Sequence, residues 1–396
     1  MTHIAPADHL RPAAERKTIM PTRRPRGAGE GGAMLWLWLG FIAFILLLLA
    51  LDLGVFHRKA HVVSMREALG WSAVWITLGL LFAVPVYFGY QHQWLGLGQA
   101  VDAVDGAAND GAAAVIKYLT GYVVEKSLSI DNVFVIAMIF GSLAVPAVYQ
   151  HRVLFWGILG ALVMRGVMIA IGAKLIADFH WILYVFGVFL IVTAVKMLLV
   201  QTHSDPTQNP LLKLIRRWVP VTDRFHGERF IVRAGSAASH APATAGAAVE
   251  TDEAVDRTEK LRPGALMITP LLLALILVEF TDLVFAVDSI PAIFAITADP
   301  FLVFTSNVFA ILGLRSLYFA LAGLIDTFKY LKVALALVLA VVGVKMLAAG
   351  YLKALIGEHF NLYLLAVVLL LLAGGVVASL WSDRQSGAGK VAGHAV

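Results

Sequence analysis

Long apolar stretches separated by short polar ones dominate the chain, and a helix that crosses a bilayer needs about 20 mostly apolar residues. Nine stretches reach that length: roughly Met34–Leu53, Ala68–Tyr90, Lys117–Leu143, Val153–Ile176, Phe179–Val200, Leu266–Thr297, Phe301–Ile325, Lys332–Tyr351 and Phe360–Trp381. The pattern predicts an all-α polytopic membrane protein. The first stretch follows a 33-residue tail and ends in Asp52-Leu-Gly-Val-Phe rather than in small residues. It therefore reads as an anchor helix and not as a cleaved signal peptide.

Basic residues give the direction, because cytoplasmic loops collect Lys and Arg. The loop after the first span carries Arg58, Lys59 and Arg66, whereas the loop after the second (about 91–116) has Asp102, Asp105 and Asp110 and no Lys or Arg. Arg152, a run from Lys213 to Arg262, and Lys329 keep to the odd loops. The even loops hold little beyond Lys174 and Lys353, and the C-terminal tail adds Arg384 and Lys390. Nine spans then predict a periplasmic N-terminus and a cytoplasmic C-terminus. The tail 1–33 disagrees, since Arg11, Arg16, Lys17, Arg23, Arg24 and Arg26 should resist export. Its composition reads as disordered, and translation from Met34 is the alternative.

Residues 201–264 form the one long polar insertion, basic from Lys213 to Arg233, then Ala/Gly/Ser/Thr-rich, then acidic from Glu250 to Glu259. This is expected to be a mostly flexible cytoplasmic linker, with a short surface helix near Leu211–Val219. It joins a membrane half at 34–200 to another at 265–381, and a tail follows at 382–396.

Composition narrows the function. Of 396 residues, 60% are hydrophobic and only 14% charged, and the mean hydropathy is +0.81, against about 25% charge in soluble domains. A soluble enzyme is excluded. The absence of cysteine removes disulfides, zinc-thiolate sites, iron–sulfur clusters and cysteine nucleophiles. No Gly-x4-Gly-Lys-Ser/Thr motif is present, so the chain itself is no ATP-driven pump. The formal charge of +5 reflects cytoplasmic loops, not a nucleic-acid partner.

The chain also repeats itself. Glu125-Lys-Ser-Leu-Ser-Ile-Asp131-Asn132 in span 3 matches Asp282-Leu-Val-Phe-Ala-Val-Asp288-Ser289 in span 6. Arg165 in span 4 matches Arg315 in span 7, and Lys196-Met-Leu in span 5 matches Lys345-Met-Leu in span 8. Each unit has three spans (first repeat 117–200, second 265–351), so spans 3 and 6 cross in opposite directions. Inverted repeats of this kind build many secondary transporters, with the substrate site near midplane between them.

The acids sit where they are expensive. Glu125, Asp131, Glu279, Asp282 and Asp288 fall within two spans, and a charged side chain at a helix centre costs about 2.5–3.5 kcal/mol. They are expected to face the bundle interior. Buried ion pairs with Arg165, Arg315, Lys196 or Lys345 are one account, although such pairs add little net stability. A cation site is the other. Pro291, three residues after Asp288, removes a helical hydrogen bond, so spans 3 and 6 are expected to be interrupted near Asp131-Asn132 and Asp288-Ser289. Carboxylate, amide and hydroxyl oxygens suit Mg, Ca or Mn. The predicted metal-contacting set is Glu125, Asp131, Asn132, Glu279, Asp282, Asp288 and Ser289. Met138, seven residues after Asp131, is a candidate softer ligand whose plainer role is packing. His57 and His61 read as interfacial, and Asp52 as either a gate residue or a solvated helix end.

These residues carry a resemblance. Glu125-Lys-Ser-Leu-Ser-Ile-Asp-Asn-Val-Phe-Val with Tyr149-Gln-His-Arg-Val-Leu-Phe-Trp-Gly-Ile-Leu-Gly-Ala-Leu closely resembles the TerC family. So does Glu279-Phe-Thr-Asp-Leu-Val-Phe-Ala-Val-Asp-Ser-Ile-Pro, continuing through Phe304-Thr-Ser-Asn-Val-Phe-Ala-Ile-Leu-Gly-Leu-Arg-Ser-Leu-Tyr-Phe. The similarity covers most of 35–380. It implies an inner-membrane protein akin to lysine-exporter-like transporters, with links to tellurium resistance and to manganese export. The family's acidic motif falls on Glu125, Asp131 and Asn132, and on Glu279, Asp282, Asp288 and Ser289.

The leading expectation is therefore an exporter of a divalent cation, most of all Mn²⁺, working by alternating access with possible proton antiport and no permanently bound cofactor. The rival is a non-transporting membrane component of a tellurite or metal stress-resistance complex, docking partners at 201–264. An intramembrane aspartyl protease is disfavoured because neither Asp131 nor Asp288 lies in a Gly-x-Gly-Asp motif.

Overall fold

The computed structural model describes residues 28–54, 64–199, 220–222, 225–233, 266–321, 330–357 and 360–392. Most of the tail 1–33, the histidines at 57 and 61, the expected surface helix at Leu211–Val219 and most of the linker 201–264 lie outside them. The chain is a multi-pass bundle of α-helices. The helices are α1 (Ala28–Gly54), α2 (Met65–Leu81), α3 (Ala83–Gln91), α4 (Gly111–Ser142), α5 (Ala147–Asp178), α6 (Ile182–Leu199), α7 (Pro270–Phe294), α8 (Pro300–Ile311), α9 (Leu314–Leu321), α10 (Leu331–Leu347), α11 (Ala349–Ile356) and α12 (Phe360–Ala392). A two-stranded antiparallel ribbon, β1 (Ile231–Arg233) with β2 (Leu266–Ile268), leads into α7.

Seven helical segments among the described residues are long and apolar enough to cross a membrane unaided. The two other expected spans form helices in place: α4 carries Lys117, Glu125, Lys126 and Asp131, and α10 has only 17 residues. Several ends differ from expectation, among them the starts of α4 at Gly111 and of α5 at Ala147 and the strand at Leu266–Ile268 where span 6 was expected to begin. Helix α1 begins at Ala28, upstream of Met34, and α12 runs past Trp381 to Ala392. Caps explain the sharp starts: Asp110 accepts from the Ala113 N–H, Thr269 from Leu272, and Asp299 from Phe301 and Leu302.

The packing follows the repeat. First helix meets first helix (α4 with α7) and third meets third (α6 with α10), while α4 packs on α8 and its counterpart α7 packs on α5. Exchanging the two units maps this contact pattern onto itself. Helices α6 and α10 approach backbone to backbone: a Cβ on Gly343 would lie 2.9 Å from the Gly187 carbonyl oxygen. Helix α1 is added outside the repeats, its Trp38 and Phe41 seated on Phe301 and Phe304 of α8.

The expected helix breaks are not where they were placed. Both α4 and α7 are continuous through Asp131-Asn132 and Asp288-Ser289. Pro291 lies in the last turn of α7, which stops three residues later at Phe294, so its missing N–H costs no midplane backbone. Two other spans are divided. In span 2, Pro85 follows the α2–α3 junction at Phe82. In span 7, Leu312 is extended (φ −56°, ψ 130°) and Gly313 is left-handed (φ +81°), separating α8 from α9. Freed carbonyls in a membrane need donors, and Lys126 of α4 supplies them, its Nζ donating to Ala310 O at 3.0 Å and Leu312 O at 3.3 Å.

Gly313 is needed twice over. A non-glycine residue in the left-handed region costs about 1–2 kcal/mol, and a Cβ would sit 2.6 Å from Cβ of Trp75. Gly313→Ala is expected to destabilise the detergent-solubilised protein by about 2–4 kcal/mol. Gly350→Ala, with nothing within 4 Å, should stay within about 0.5 kcal/mol. Thermal unfolding of the two variants side by side measures the difference.

Candidate functional site: a midplane carboxylate pair around Arg165

Asp282 lies twelve residues from either end of α7. Glu125 and Arg165 fall close to the middle of the 32-residue helices α4 and α5. Against a hydrocarbon core of about 30 Å, these midpoints place the three charges near the bilayer midplane. All are buried.

Arg165 is the hub. Its Nε and Nη2 donate to the two carboxylate oxygens of Asp282 at 3.2 and 2.9 Å. Its Nη1 donates to Glu125 Oε1, and also reaches Ser289 Oγ at 3.2 Å and Asn307 Oδ1 at 3.3 Å. Asn132 Nδ2 donates to Asp282 Oδ1 at 2.9 Å. The planar five-donor fork of arginine suits this simultaneous contact with several oxygens. Three polar atoms are buried here with no hydrogen-bond partner: Glu125 Oε2, Asn132 Oδ1 and Asn307 Nδ2.

Glu125 and Asp282 are repeat-related, as are Asn132 and Ser289, so the two units contribute matching pairs. Four of the seven expected site residues therefore meet. The other three do not. Asp131 is half-buried elsewhere on α4. Asp288 accepts from Thr193 Oγ1 of α6 at 3.2 Å. The Glu279 carboxylate lies against Gly160 of α5, where any side chain would collide with it. Met138 is 44% exposed and takes no part. Among the described residues no three acidic or histidine side chains converge on one point. The donor set is two carboxylates plus neutral oxygens.

The expected neutralising bases divide. Arg165 serves the cluster, whereas its counterpart Arg315 donates to Asp52 of α1 at 2.8 Å, which makes Asp52 an internal ion-pair partner and not a solvated helix end. Lys345 Nζ donates to the Ala295 carbonyl at 2.7 Å. Asn307 had no signal in the repeat, because the matching position in the first unit is Gly157.

A small cavity adjoins the cluster. Its volume is about 10 Å³, room for one water, and it is lined by Asn132 and Asp282 and by residues such as Ile136, Gly157, Ala161 and Val278. These positions lie in the half of the membrane that faces the β1–β2 ribbon. On the opposite side the 92–110 segment folds over the bundle. There Lys117 Nζ pairs with Asp102 at 2.8 Å and Asp105 at 2.7 Å and donates to Asn109 Oδ1. Asp102 also accepts from Thr297 Oγ1 and the Ala298 N–H, tying the segment to the turn after α7. Tyr90 OH donates to Asp299 Oδ2 at 2.9 Å. Burial pushes the Asp102 carboxyl up, but the Lys117 charge and the hydrogen bonds from Lys117, Thr297 and Val104 outweigh it and hold it below its ordinary value. For Asp299, burial dominates and raises the carboxyl, with Asp102 adding to it.

The sequence profile of the integral membrane protein TerC family matches residues 110–387. A membrane protein of Myxococcus xanthus is 45% identical over 351 residues, 88% of this chain and 93% of its own length. A protein of Photorhabdus laumondii, provisionally named a membrane-bound redox modulator, Alx, is 41% identical over 350 residues, covering 88% of this chain and 95% of its own. The protein of that name in Escherichia coli K12 is 43% identical over 319 residues, 80% of this chain and 86% of its own. No solved structure matches.

Because Asp102 is held below its unfolded value, its stabilisation is complete above about pH 4 and is lost as pH falls further. Asp102→Asn is expected to lower the unfolding temperature at pH 7, and its gap to wild type should shrink at about pH 3. A gap independent of pH would show that the carboxylate charge is not what holds Lys117.

Proposed function

The chain belongs to the TerC family of integral membrane proteins, and from that premise we propose that it is a secondary transporter exporting a divalent metal cation, Mn²⁺, across the bacterial inner membrane. The observation that carries this reading is the Glu125–Asp282 pair: repeat-related carboxylates, buried at midplane, with unpartnered oxygens beside them and a cavity on one side. Two carboxylates, the amide oxygens of Asn132 and Asn307 and the Ser289 hydroxyl make a hard oxygen set of the kind that suits Mn²⁺. The same negative character disfavours an oxyanion such as tellurite.

In this reading the ribbon side is cytoplasmic. The cavity beside Asn132 and Asp282 is the entry, and the network around Lys117 closes the periplasmic exit. Alternating access then requires that network to open while the cavity closes, the two repeats exchanging roles about α4 and α7. Metal-binding carboxylates must be ionised, so protonation and metal occupancy exclude each other, which is the basis for proton antiport. The redox label of the relatives fits only indirectly. This chain has no cysteine, so an effect on redox state would come through the ion it moves and not through its own thiols.

The test is total cell manganese under Mn²⁺ load in a host lacking its own exporter, with equal membrane expression. Wild type should lower cell manganese. Glu125→Gln and Asp282→Asn should abolish the effect, while Asp131→Asn and Asp288→Asn, which lie outside the cluster, should retain most of it. Accumulation equal to empty vector for wild type would refute manganese export. Full activity in both cluster variants would favour a non-transporting scaffold, for which deletions within 201–264 would be the damaging change.

A further inference from the structure

The cluster already contains a cation. Arg165 occupies the position between Glu125 and Asp282 that a bound metal would need, and it uses the same oxygens: both carboxylates, Ser289 Oγ and Asn307 Oδ1. The repeat makes this arrangement conspicuous. The counterpart Arg315 does not reach the cluster, because Asp52 of α1, outside the repeats, holds it at 2.8 Å. One arginine of the pair is thus retained by a dedicated partner while the other fills the centre.

We propose that Arg165 is a built-in competitor of the substrate: its guanidinium compensates one charge of the empty carboxylate pair, and a divalent cation binds only by displacing it. The inference rests on the cation-export reading. It assigns Arg165 a role as a positioning residue that sets affinity and release, not as a ligand.

Three features of the site support it. With Arg165 in place, the two carboxylates carry a net charge of −1, so a buried uncompensated pair never forms when no metal is present. The displaced oxygens are those a metal would use, and Glu125 Oε2 and Asn132 Oδ1 stand ready without partners. The cavity lies beside Asn132 and Asp282 on the ribbon side of the cluster, next to oxygens that Arg165 does not fully occupy. A tethered competitor also solves a transporter's release problem. The guanidinium can retake the carboxylates as the metal leaves, so tight binding does not become trapping.

The consequence is an unusual order of affinities. A site occupied by its own side chain binds metal with an affinity reduced by the fraction of time it is free. Mn²⁺ binding to the purified full-length protein, followed by the loss of the free Mn²⁺ paramagnetic resonance signal, should be tighter by about tenfold or more in Arg165→Gln. Arg165→Lys should lie between, since a point charge cannot grip both carboxylates at once. Export by Arg165→Gln should fall despite the tighter binding. Size-exclusion profile and unfolding temperature confirm folding, and Arg165→Lys decides the question if the glutamine variant does not fold. The reverse order, with binding lost in Gln and kept in Lys, would overturn the competitor and make Arg165 a structural organiser of the site, leaving cation export intact. Saturable Mn²⁺ binding in none of the folded proteins would overturn the inference together with the export reading.

Discussion

A charge at the middle of a bilayer must be answered within the protein, and the bundle is organised around that demand. Glu125, Arg165 and Asp282 come from three helices and two repeats, and each is buried. Removing one member of such a buried set leaves the rest uncompensated, at a cost of about 3–5 kcal/mol. The helices are held to the positions from which these side chains can meet. Gly160 keeps α5 close to the acidic helix α7, and the symmetric packing of α4 on α8 and α5 on α7 brings the charged faces inward together.

The same demand explains where backbone can be irregular. Span 7 breaks at Leu312–Gly313 because a lysine from α4 reaches its freed carbonyls. Helices α4 and α7 stay intact because their polar content is in side chains, which find partners across the bundle. Polar side chains and open backbone are alternative ways of making a polar point in a membrane: α4 and α7 use side chains alone, and span 7 uses both.

Much of this was legible in the sequence. The spans, the three-helix repeat and the inward placing of Glu125 and Asp282 follow from hydropathy, spacing and the cost of charge in lipid, whereas Asp131, Glu279 and Asp288 are only half-buried. Four of the seven expected site residues do meet. What spacing could not decide is which turn of a helix faces which neighbour. Asp131 and Asn132 are adjacent, yet only Asn132 joins the cluster. Pro291 suggested a break, but a proline in a final turn merely ends the helix. Asn307 has no repeat mate, and the choice of Arg165 over Arg315 depends on Asp52, in a helix outside the repeat. The lid of residues 92–110 is invisible to periodicity, because its contacts join positions nearly 200 residues apart.

The double allegiance of Arg165 bears on how the protein is made. Its partner Glu125 is synthesised before it, but Asp282 follows 117 residues later, beyond the whole linker. The first half can enter the membrane with an internally balanced pair, α4 donating the acid and α5 the base. Helix α7 has three acids and no base of its own, so the charge that answers Asp282 has to come from α5. The Arg165–Asp282 pair therefore closes only once the second half has been made, whereas the Arg165–Glu125 pair needs the first half alone.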